Sequence, residues 1–566
     1  MANLNTEVKN NNTYDAIVIG SGMSGGWAAK ELCEKGLKTL VLERGREVKH
    51  GDYPTAMTDP WDHELRGSMS PEEQPLYEKQ RRSGFVGDLN KHHYVNDQDH
   101  PYHEEKRFDW IRGYQTGGRS LLWGRHCYRW SDLDFEANAK EGVGVDWPVR
   151  YKEIASWYSY VEKYVGIAGE KMGLSHLPDG EYLKPFELNC LETHTREVIK
   201  TKFNRHLTIG RVAHLTEPIN GRGQCQNRDR CDRGCPFGAY FSSNAVTLPA
   251  AAQTGNLTLR PHSIVSEIMY DAEKKKATGV RIIDANTNEV VEYFAKIIFC
   301  NASTMGTAHI LLNSKSDRFP NGLGNDSGEV GHNIMDHHYF AGAYGTYDGM
   351  EDKFYHLRRP TGFYIPKFRN IDEATRTPEI VRGFGYQGGA YRTGWDRGTI
   401  SGEFGGNFKD SMSRPGPWEM MMNGFGEILP DHNNHVKLHP TLKDKWGLPQ
   451  LSFHTEFTAK DLKTREYMQS DAAEMLEAAG LKNIKTFDSI GGMGKGVHEM
   501  GTARMGNDPK TSVLNKWNQM HSVNNLFITD GAFMASAACV NPSITYMAFT
   551  ARAVDYAVKE LNKQNL

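Results

Sequence analysis

The sequence contains no long hydrophobic run. Among its 566 residues, no segment approaches the roughly 20 apolar residues that are needed to span a bilayer, so we expect no direct insertion into a membrane. The first residues, MANLNTEVKNNNTYD, also lack the apolar stretch that is typical of a secretory signal. The chain is nevertheless longer than the roughly 250 to 300 residues at which a single hydrophobic core stops growing, which predicts two or more domains.

An excess of charge of one sign is also missing. The chain has 67 Lys and Arg residues against 70 Asp and Glu residues, and its formal net charge is −3. Proteins that bind nucleic acid or an anionic membrane surface usually carry a concentrated basic field. The even balance therefore predicts no nucleic-acid partner, and the length of the chain favours a large enzyme over a small binding module.

Cysteine is sparse, because eight unevenly spaced cysteines in a chain of this length do not make a disulfide framework. Three of them, Cys225, Cys231 and Cys235, nevertheless lie close together in the segment CQNRDRCDRGC. Pro236 follows directly, as proline follows the last ligand of many iron–sulfur motifs. Thiolates that are held together repel one another unless they share a cation, so the loop is predicted to bind a metal or a cluster.

Other interpretations of this loop remain open. Zinc usually takes four ligands, often from Cys-x2-Cys pairs, and the spacing here does not favour it. A disulfide with one free thiol, or a grouping without function, would also fit the sequence. Cys190 is an outlying candidate ligand, whereas Cys33 and Cys127 are expected to pack in the interior.

The N-terminal segment YDAIVIGSGMSGGWAAKELCEKGLKTLVLERG has the pattern of a dinucleotide site. An apolar strand precedes the glycines Gly20, Gly22 and Gly25, which form G-x-G-x-x-G ahead of a helix. Such glycines allow a tight turn and a close approach of the backbone to a pyrophosphate at the helix N-terminus. Glu43 ends the second strand, where a carboxylate accepts hydrogen bonds from an adenosine ribose. This pattern alone does not distinguish NAD from FAD.

Five further segments resemble the glucose-methanol-choline (GMC) family of FAD oxidoreductases, and together with the N-terminal segment they cover nearly the whole chain. They are GYQTGGRSLLWGRH at 113–126, IIFCNASTMGTAHILLNS at 297–314, GHNIMDHH at 331–338, HEMGTARMG at 498–506 and LFITDGAFMASAACVNPSITYMAFTARA at 526–553. The last two are specific in combination. The resemblance implies that the cofactor is FAD.

The resemblance also implies a fold. We expect an α/β protein with a Rossmann-like FAD-binding domain and an inserted α+β substrate domain built on an antiparallel sheet. The expected boundaries are 14–330 for the N-terminal and middle parts of the FAD domain, which include the cysteine-rich loop 220–245. The substrate domain is expected at 331–480, and 481–566 would complete the FAD domain and the active site.

Two residues match the positions that face the flavin in relatives. They are His498, in HEMGT, and Asn541, in VNPSIT. Oxidation of an alcohol by a flavin requires a group that takes the hydroxyl proton, and a histidine is suited to this near pH 7. We therefore expect His498 to be the base and Asn541 to orient the same oxygen.

The remaining cofactor contacts are also implied by the resemblance. They are Gly117, Gly118 and Ser120 against the isoalloxazine side, Val265 at the adenine, and Asp530, Gly531 and Pro542 near the diphosphate, the ribityl chain or the ring. Pyranose oxidases carry a flavin-linking histidine in the comparable loop, whereas this chain has Leu122 there. FAD is therefore predicted to be non-covalent.

A similar cysteine segment holds a [3Fe-4S] cluster in the catalytic subunits of FAD-dependent bacterial glucose dehydrogenases. Cys225, Cys231 and Cys235 match its ligands one by one, although the spacing differs slightly and leaves the first ligand open. A flavin receives two electrons together with a hydride, and iron–sulfur centres pass on one electron at a time. The resemblance therefore implies an electron exit to a cytochrome c-type protein and poor use of oxygen.

The substrate is implied only by resemblance of the whole chain, which looks like the large subunits of glucoside 3-dehydrogenases. Aromatic, Arg, His and Asn residues in 331–480 suit a sugar or glucoside substrate, and equally an ordinary sheet face. Such relatives reach the periplasm with a small subunit that carries the export signal; without that partner we expect a cytoplasmic protein. The alternatives are a gluconate or polyol dehydrogenase large subunit, an oxygen-using sugar oxidase, and a non-redox lyase or cofactor-free subunit.

Overall fold

A computed structural model describes residues 3–4, 12–355, 360–394, 397–398 and 401–566. The helices in these ranges are α1 (Met23–Glu34), α2 (Glu78–Arg81), α3 (Asp132–Phe135), α4 (Ala137–Glu141), α5 (Tyr151–Val165), α6 (Cys190–Phe203), α7 (Thr247–Gln253), α8 (Thr304–Asn313), α9 (Gly405–Ser413), α10 (Ala459–Ala478) and α11 (Ser543–Asn562). The strands are β1 (Asn3–Leu4), β2 (Thr13–Ile19), β3 (Thr39–Leu42), β4 (His103–Glu104), β5 (Thr208–Ile209), β6 (Leu257–Arg260), β7 (Ser263–Asp271), β8 (Lys276–Asp284), β9 (Val290–Cys300), β10 (His337–His338), β11 (Ala341–Tyr347), β12 (Phe363–Ile365), β13 (Gly385–Arg392), β14 (Trp418–Glu427), β15 (His435–Lys443), β16 (Pro449–His454), β17 (Lys482–Asp488), β18 (Gln519–Met520) and β19 (Val523–Phe527).

The first sheet is built on the parallel strands β6–β3–β2–β9–β19, in that order. β1 lies outside β6, and β18 pairs antiparallel with β19. Residues 16–19 of β2 and all of β3 are buried, as expected for parallel strands that are covered on both faces. The carboxyl ends of β2 and β3 lie side by side, and open α/β sheets bind ligands at this edge.

Helices α1 and α11 cover one face of this sheet. Leu32 of α1 and Val554 of α11 join Val18 and Phe299 of the strands in one buried cluster. The hairpin of β7 and β8 continues from the first half of β9 in antiparallel pairing. The C-terminal helix therefore packs beside the N-terminal βαβ unit, which brings the two ends of the chain to the same site.

The second sheet is antiparallel, with the order β17–β11–β14–β13–β12–β5 and with β10 paired to β14. Helix α10 packs on one face, where Met420 and Met422 of β14 meet Met468 of α10. Side chains alternate along a strand, so Gln387 and Asn423, which are paired across β13 and β14, lie on the opposite face. This opposite face is the one that reaches the site described below.

A third, three-stranded sheet has the order β15–β16–β4. The α/β class with an additional antiparallel sheet agrees with the expectation from the sequence. The second sheet takes β5 and β17 from outside residues 331–480, and the exact domain boundaries stay predictions. None of the described helices is both long enough and apolar enough to cross a lipid bilayer.

Candidate active site

A cavity of about 520 Å³ begins at the carboxyl ends of β2 and β3 and extends to the second sheet. Ligand sites in proteins commonly have volumes of about 300 to 1,000 Å³. Ten of the predicted site residues line it: Gly20, Gly22, Glu43, Gly118, Ser120, Val265, His498, Asp530, Gly531 and Asn541. Gly25, Gly117 and Pro542 lie next to or directly behind these residues. Residues from both ends of the chain thus line the same cavity.

The glycine loop after β2 leaves no room for side chains. A Cβ on Gly20 would lie 2.3 Å from the carbonyl oxygen of Asn301, and one on Gly25 would lie 1.9 Å from that of Gly20. Gly20 also has a φ of +92°, which L-residues rarely adopt. Helix α1 starts directly after Gly22, without a side-chain cap, so its first backbone N–H groups are directed to the cavity and suit a phosphate.

Glu43 is buried at the end of β3 and is held by the same loop. Its carboxylate accepts hydrogen bonds from Ser21 Oγ at 2.5 Å and from the backbone N–H of Gly45 at 2.9 Å. Burial raises the pKa of Glu43, and these hydrogen bonds oppose the rise. Ser21 Oγ in turn accepts from the backbone N–H of Gly117 at 2.9 Å, so the 117–121 segment is tied to the dinucleotide loop.

The 117–121 segment forms a short 3₁₀ turn, Gly118–Leu121. Gly117 has a φ of +86°, and a Cβ at this position would lie 1.6 Å from the side-chain oxygen of Asn244. Ser120 Oγ accepts from the backbone N–H of Ser243 at 2.9 Å. The turn is therefore packed on a neighbouring segment, and Gly118 and Ser120 are left to line the cavity.

Asp530 follows β19 and faces the cavity close to the start of α8. Its carboxylate accepts from Thr307 Oγ1 at 2.6 Å and from the backbone N–H of Ala532 at 2.9 Å. Burial raises the pKa of Asp530 to about 6. The carboxylate fixes the turn that places Gly531 in the wall.

The segment that carries His498 wraps around the carboxylate of Asp336. The backbone N–H groups of Gly494, Gly496 and His498 donate to it at 2.9, 2.8 and 2.9 Å. Burial and the charge of Glu499 raise the pKa of Asp336 to about 7. Asp336 therefore determines the backbone position of the predicted base.

The imidazole of His498 is half-buried and neutral. Loss of solvent around the ring lowers its pKa well below the usual value, and the neighbouring His337, Arg119 and His126 would each disfavour a positive charge on it. Its Nδ1 lies 3.1 Å from Nδ1 of His337, and the two rings meet edge to face with centroids 5.1 Å apart. A neutral histidine has one ring nitrogen that can accept a proton.

Asn541 lies between the C-terminal helix and the second sheet. Gln387 Nε2 of β13 donates a hydrogen bond to Asn541 Oδ1 at 2.6 Å. This bond uses the oxygen of the Asn541 amide, so the amide presents N–H donors elsewhere. His498 and Asn541 therefore offer an acceptor and a donor to the same cavity.

Aromatic rings form the wall on the side of the second sheet. Phe425 stacks on His337 with a centroid distance of 4.6 Å. The ring centroid of Tyr339 lies 6.2 Å from that of Phe425. Phe85 stacks on Tyr339 at 6.3 Å and is partly exposed. Aromatic faces of this kind pack against the C–H surface of a substrate and limit the entry of water.

All eight cysteines are free, including those of the predicted cluster loop. Burial, together with the neighbouring Cys231 and Cys235, raises the pKa of Cys225 to about 11. Cys231 Sγ lies 3.7 Å from Nε2 of His214. Among the residues that the structure describes, no group of three or more His, Cys, Asp or Glu side chains is arranged to hold a metal ion. The three thiols are thus neighbours but are not gathered as a ligand set, so the predicted [3Fe-4S] cluster is not supported.

The loop that carries these thiols reaches the cavity. Asp232 lines the cavity and accepts a hydrogen bond from Asn90 Nδ2 at 3.0 Å. Arg230 pairs with Asp59, and Arg233 donates to the carbonyl oxygen of Thr58 at 3.3 Å. Cys190, by contrast, starts α6 and packs on the core of the second sheet, and Cys33 and Cys127 are buried in the hydrophobic interior.

Comparison with known families assigns the chain. Residues 14–339 match the N-terminal domain of the GMC oxidoreductases, and residues 430–550 match their C-terminal domain. The chain belongs to the GMC oxidoreductase family. Members of this family use FAD and act on CH–OH groups, so this GMC protein is an FAD-dependent oxidoreductase of that general type.

Several relatives match this GMC protein over almost its full length. The 2-methyl-1,2-propanediol dehydrogenase of Mycolicibacterium austroafricanum is 28% identical, covering 96% of this chain and 94% of the relative. The fructose dehydrogenase large subunit of Gluconobacter japonicus is 26% identical, over 97% and 98%. The gluconate 2-dehydrogenase flavoprotein of Pantoea cypripedii is 24% identical, over 95% and 92%.

A solved structure supports the fold. The pyridoxine 4-oxidase from Mesorbium loti superposes with a TM-score of 0.58 and 14% identity, covering 96% of this chain and 99% of the other. In this GMC protein, the glycines that a Cβ would crowd, the start of α1 and the carboxylate of Glu43 form a cradle that fits FAD.

Four positions in the GMC site were not predicted individually from the sequence. Asp336 and His337 lie in the motif GHNIMDHH, which was recognised only as a family segment, and its acid–histidine pair was the available signal. Gln387 lies in a strand whose sequence has no motif that would indicate a role in the site. Arg119, which pairs with Glu499 at 2.5 Å and lines the cavity, lies in the family segment 113–126.

Proposed function

We propose that this protein oxidises a secondary ring hydroxyl of a sugar or glucoside to a keto group, with C3 of a glucoside as the preferred position. The observation that carries the proposal is the acceptor–donor pair formed by His498 and Asn541 beside an aromatic wall. The fructose and gluconate dehydrogenases among the relatives support a polyhydroxylated substrate. A gluconate or polyol dehydrogenase activity, or an oxygen-using sugar oxidase, is the alternative.

The proposed chemistry divides between two side chains of the chain itself. The substrate hydroxyl donates its hydrogen to the free ring nitrogen of His498, and its oxygen accepts from the Asn541 amide. His498 takes the proton as the C–H bond breaks and the C=O bond forms, so the alcohol loses one proton and one hydride. FAD, when bound, supplies the acceptor for that hydride. The donor from Asn541 stabilises the negative charge that develops on the oxygen.

The substrate proposal is tested by product analysis. The purified holoenzyme is incubated with methyl glucoside, glucose, gluconate and sorbitol, with an artificial electron acceptor, and the products are identified by NMR. We expect a 3-keto glucoside as the major product. Oxidation of gluconate or sorbitol alone would replace the proposal by the dehydrogenase alternative, and peroxide formed in step with substrate loss would replace it by the oxidase.

We also propose that the cysteine-rich loop carries electrons away from the site through a [3Fe-4S] cluster. What supports this is the positive charge around the thiols. The side chain of Arg125 lies near Cys231, and that of Arg222 lies near Cys235. Within the described part of the chain, Arg125 Nε and His214 Nδ1 are buried without a hydrogen-bond partner. An anionic group would supply the missing acceptor. The thiols must come closer together than in this structure to ligate it.

Iron and sulfide analysis with low-temperature EPR of anaerobically purified protein tests the cluster. We expect iron in a fixed ratio to flavin and an EPR signal of the oxidised protein that fades when substrate is added. Full flavin content without iron would remove the cluster from the proposal and leave the oxidation at His498 unaffected. Dissociation of FAD on acid precipitation tests the proposed non-covalent binding.

The proposed partners follow from the names of two relatives, a large subunit and a flavoprotein. We propose a small subunit that carries the export signal, a cytochrome c-type acceptor and a periplasmic location of the assembled enzyme. Affinity purification from a periplasmic extract of the native host tests all three. Recovery of the chain alone from the cytoplasm would contradict them.

A further inference from the structure

We propose that His337 is a positioning residue that fixes the proton of His498 on Nδ1 and thereby leaves Nε2 as the ring nitrogen of His498 that can accept a proton. This inference rests on the proposed role of His498. It concerns a side chain that is not itself expected to touch the substrate, and it follows from the hydrogen bonds behind the base.

The first step concerns Nε2 of His337. It lies 3.0 Å from the carbonyl oxygen of Ala538 and 3.2 Å from that of Ala537. Carbonyl oxygens only accept hydrogen bonds, so Nε2 of His337 must carry a proton. Burial lowers the pKa of His337 to about 3, and a neutral ring with a proton on Nε2 has a lone pair on Nδ1.

The second step transfers this assignment to His498. The two Nδ1 atoms are 3.1 Å apart, which is a hydrogen-bond distance. Because Nδ1 of His337 is the acceptor, Nδ1 of His498 must be the donor. Neutral His498 then has its lone pair on Nε2. The opposite tautomer would place two lone pairs against each other in a buried site, which is costly.

The third step shows that the two carbonyl groups are themselves fixed. The backbone N–H of Ala537 donates to Glu427 Oε1 at 2.6 Å, and Arg382 pairs with the same carboxylate at 2.5 Å. Ala538 has a φ of +56°, an uncommon backbone conformation for a residue with a Cβ. His337 is also stacked on Phe425. Its ring therefore cannot turn over without losing these contacts.

The hydrogen bond between the two histidines persists through the proposed reaction. When Nε2 of His498 takes the substrate proton, Nδ1 keeps its own proton and still donates to His337. His337 therefore selects the reactive nitrogen but adds no negative charge beside the imidazolium. This distinguishes it from a carboxylate partner, which would raise the basicity of the histidine.

Two substitutions separate this role from a simple structural one. In His337→Asn, the side-chain oxygen lies close to the position of Nδ1 and can accept from His498. In His337→Gln, the amide nitrogen lies close to the position of Nε2 and can donate to the carbonyl groups at 537 and 538. The measured quantity is the rate of flavin reduction by substrate in single turnover, with FAD content and melting temperature recorded for each holoenzyme.

We expect His337→Asn to keep the rate within about fivefold of wild type and His337→Gln to lose at least about thirtyfold, since general-base catalysis contributes about 10² to 10⁴. The reverse order would overturn the proposal, because it would show that only the tie to the 537–538 backbone matters. Equal rates in both variants and in the wild type would overturn it as well.

A direct measurement tests the tautomer without the His337 variants and without a substrate. Proton–nitrogen NMR of wild-type protein labelled at histidine reports which ring nitrogen carries the proton, and the His498 signals are those missing in His498→Gln. We expect the proton on Nδ1. A proton on Nε2 would refute the inference even if the enzyme oxidises sugars. If the proton is on Nδ1 but no sugar is oxidised, the proposed substrate is wrong and the proposed tautomer stands.

Discussion

Gln387 Nε2 donates to Asn541 Oδ1 at 2.6 Å, and this bond joins two residues that are 154 positions apart in the chain. Gln387 belongs to the second sheet, whereas Asn541 lies two residues before the C-terminal helix. The bond fixes which end of the Asn541 amide faces the cavity. A side chain of the second sheet therefore determines whether Asn541 presents a donor or an acceptor to the cavity.

The first prediction concerns this bond. Gln387→Glu replaces the donor with an acceptor, so the Asn541 amide is expected to turn its nitrogen towards the new carboxylate. The substrate oxygen then loses its donor, and a hydrogen bond to a group that becomes charged contributes about 1.5 to 3 kcal/mol. Flavin reduction by substrate should fall by at least about tenfold. Gln469→Glu, outside the cavity, is the control, and an unchanged rate for Gln387→Glu would show that the bond has no catalytic effect.

The second prediction concerns the base. His498→Ala should lower the rate of flavin reduction by at least about a hundredfold, the usual contribution of a general base, with FAD still bound. Stopped-flow absorbance under anaerobic conditions measures this rate. His521, which lies outside the cavity and contacts Ser512 at 3.1 Å, provides the matched His521→Ala control. Near-normal reduction by His498→Ala would exclude it as the base.

The third prediction concerns pH. The lowered pKa of His498 means that its ring is neutral and able to accept a proton at pH values above that pKa. Loss of solvent around the ring lowers this pKa most, and the neighbouring His337, Arg119 and His126 disfavour a positive charge there. The rate of flavin reduction should therefore stay high as the pH falls through 6.5 and decline only in more acidic solution. A midpoint at or above the ordinary histidine pKa of about 6.5 would contradict the neutral state.

The fourth prediction uses two glycines with similar backbone angles. Gly117 and Gly36 have φ values of +86° and +84°, but a Cβ on Gly36 meets nothing within 4 Å, whereas one on Gly117 would overlap Asn244. Gly36→Ala should cost about 1 to 2 kcal/mol of unfolding free energy from backbone strain alone. Gly117→Ala should cost a further 1 to 3 kcal/mol or so from crowding and should reduce FAD content. Urea unfolding measures both free energies, and equal losses in the two variants would show that crowding against Asn244 has no effect on stability.

The fifth prediction concerns the carboxylate at the end of β3. Glu43→Gln removes a charge that is held by Ser21 and Gly45 and that faces the cavity. Charged hydrogen bonds contribute about 1.5 to 3 kcal/mol, so the Kd for FAD, titrated into apoprotein, should rise by about 10- to 100-fold. Glu47→Gln changes a nearby surface carboxylate that pairs only loosely with Lys49 and should leave the Kd unaltered. A normal Kd for Glu43→Gln would place the cofactor elsewhere.

Local patterns in the sequence indicated residues that the structure places at the edge of the first sheet, and their contacts with FAD stay predictions. Gly20, Gly25 and Glu43 follow one another within a single βαβ unit, where the geometry of a strand, a turn and a helix leaves few alternatives. His498 and Asn541 were found because each lies in a family motif. Their presence in one cavity could be expected from that resemblance, and the structure places them there.

Other parts of the site could not be predicted, because they depend on contacts between distant segments. His337 meets His498 across 161 positions, and only the folded sheet brings it behind the base. The cysteine-rich loop shows the opposite case. Its three thiols are close in sequence, but closeness along the chain did not gather them into a ligand set, and their cluster stays a proposal.

The two hydrogen-bond partners behind the site both belong to the second sheet. His337 lies in β10 and donates to the backbone at 537–538, and Gln387 lies in β13 and donates to Asn541. One sheet therefore sets the hydrogen bonds of both residues that are proposed to act on the substrate hydroxyl. For an enzyme engineer, or for natural selection, new substrates are to be sought at other positions of this sheet, because a change at His337 or Gln387 would alter the oxidation as well.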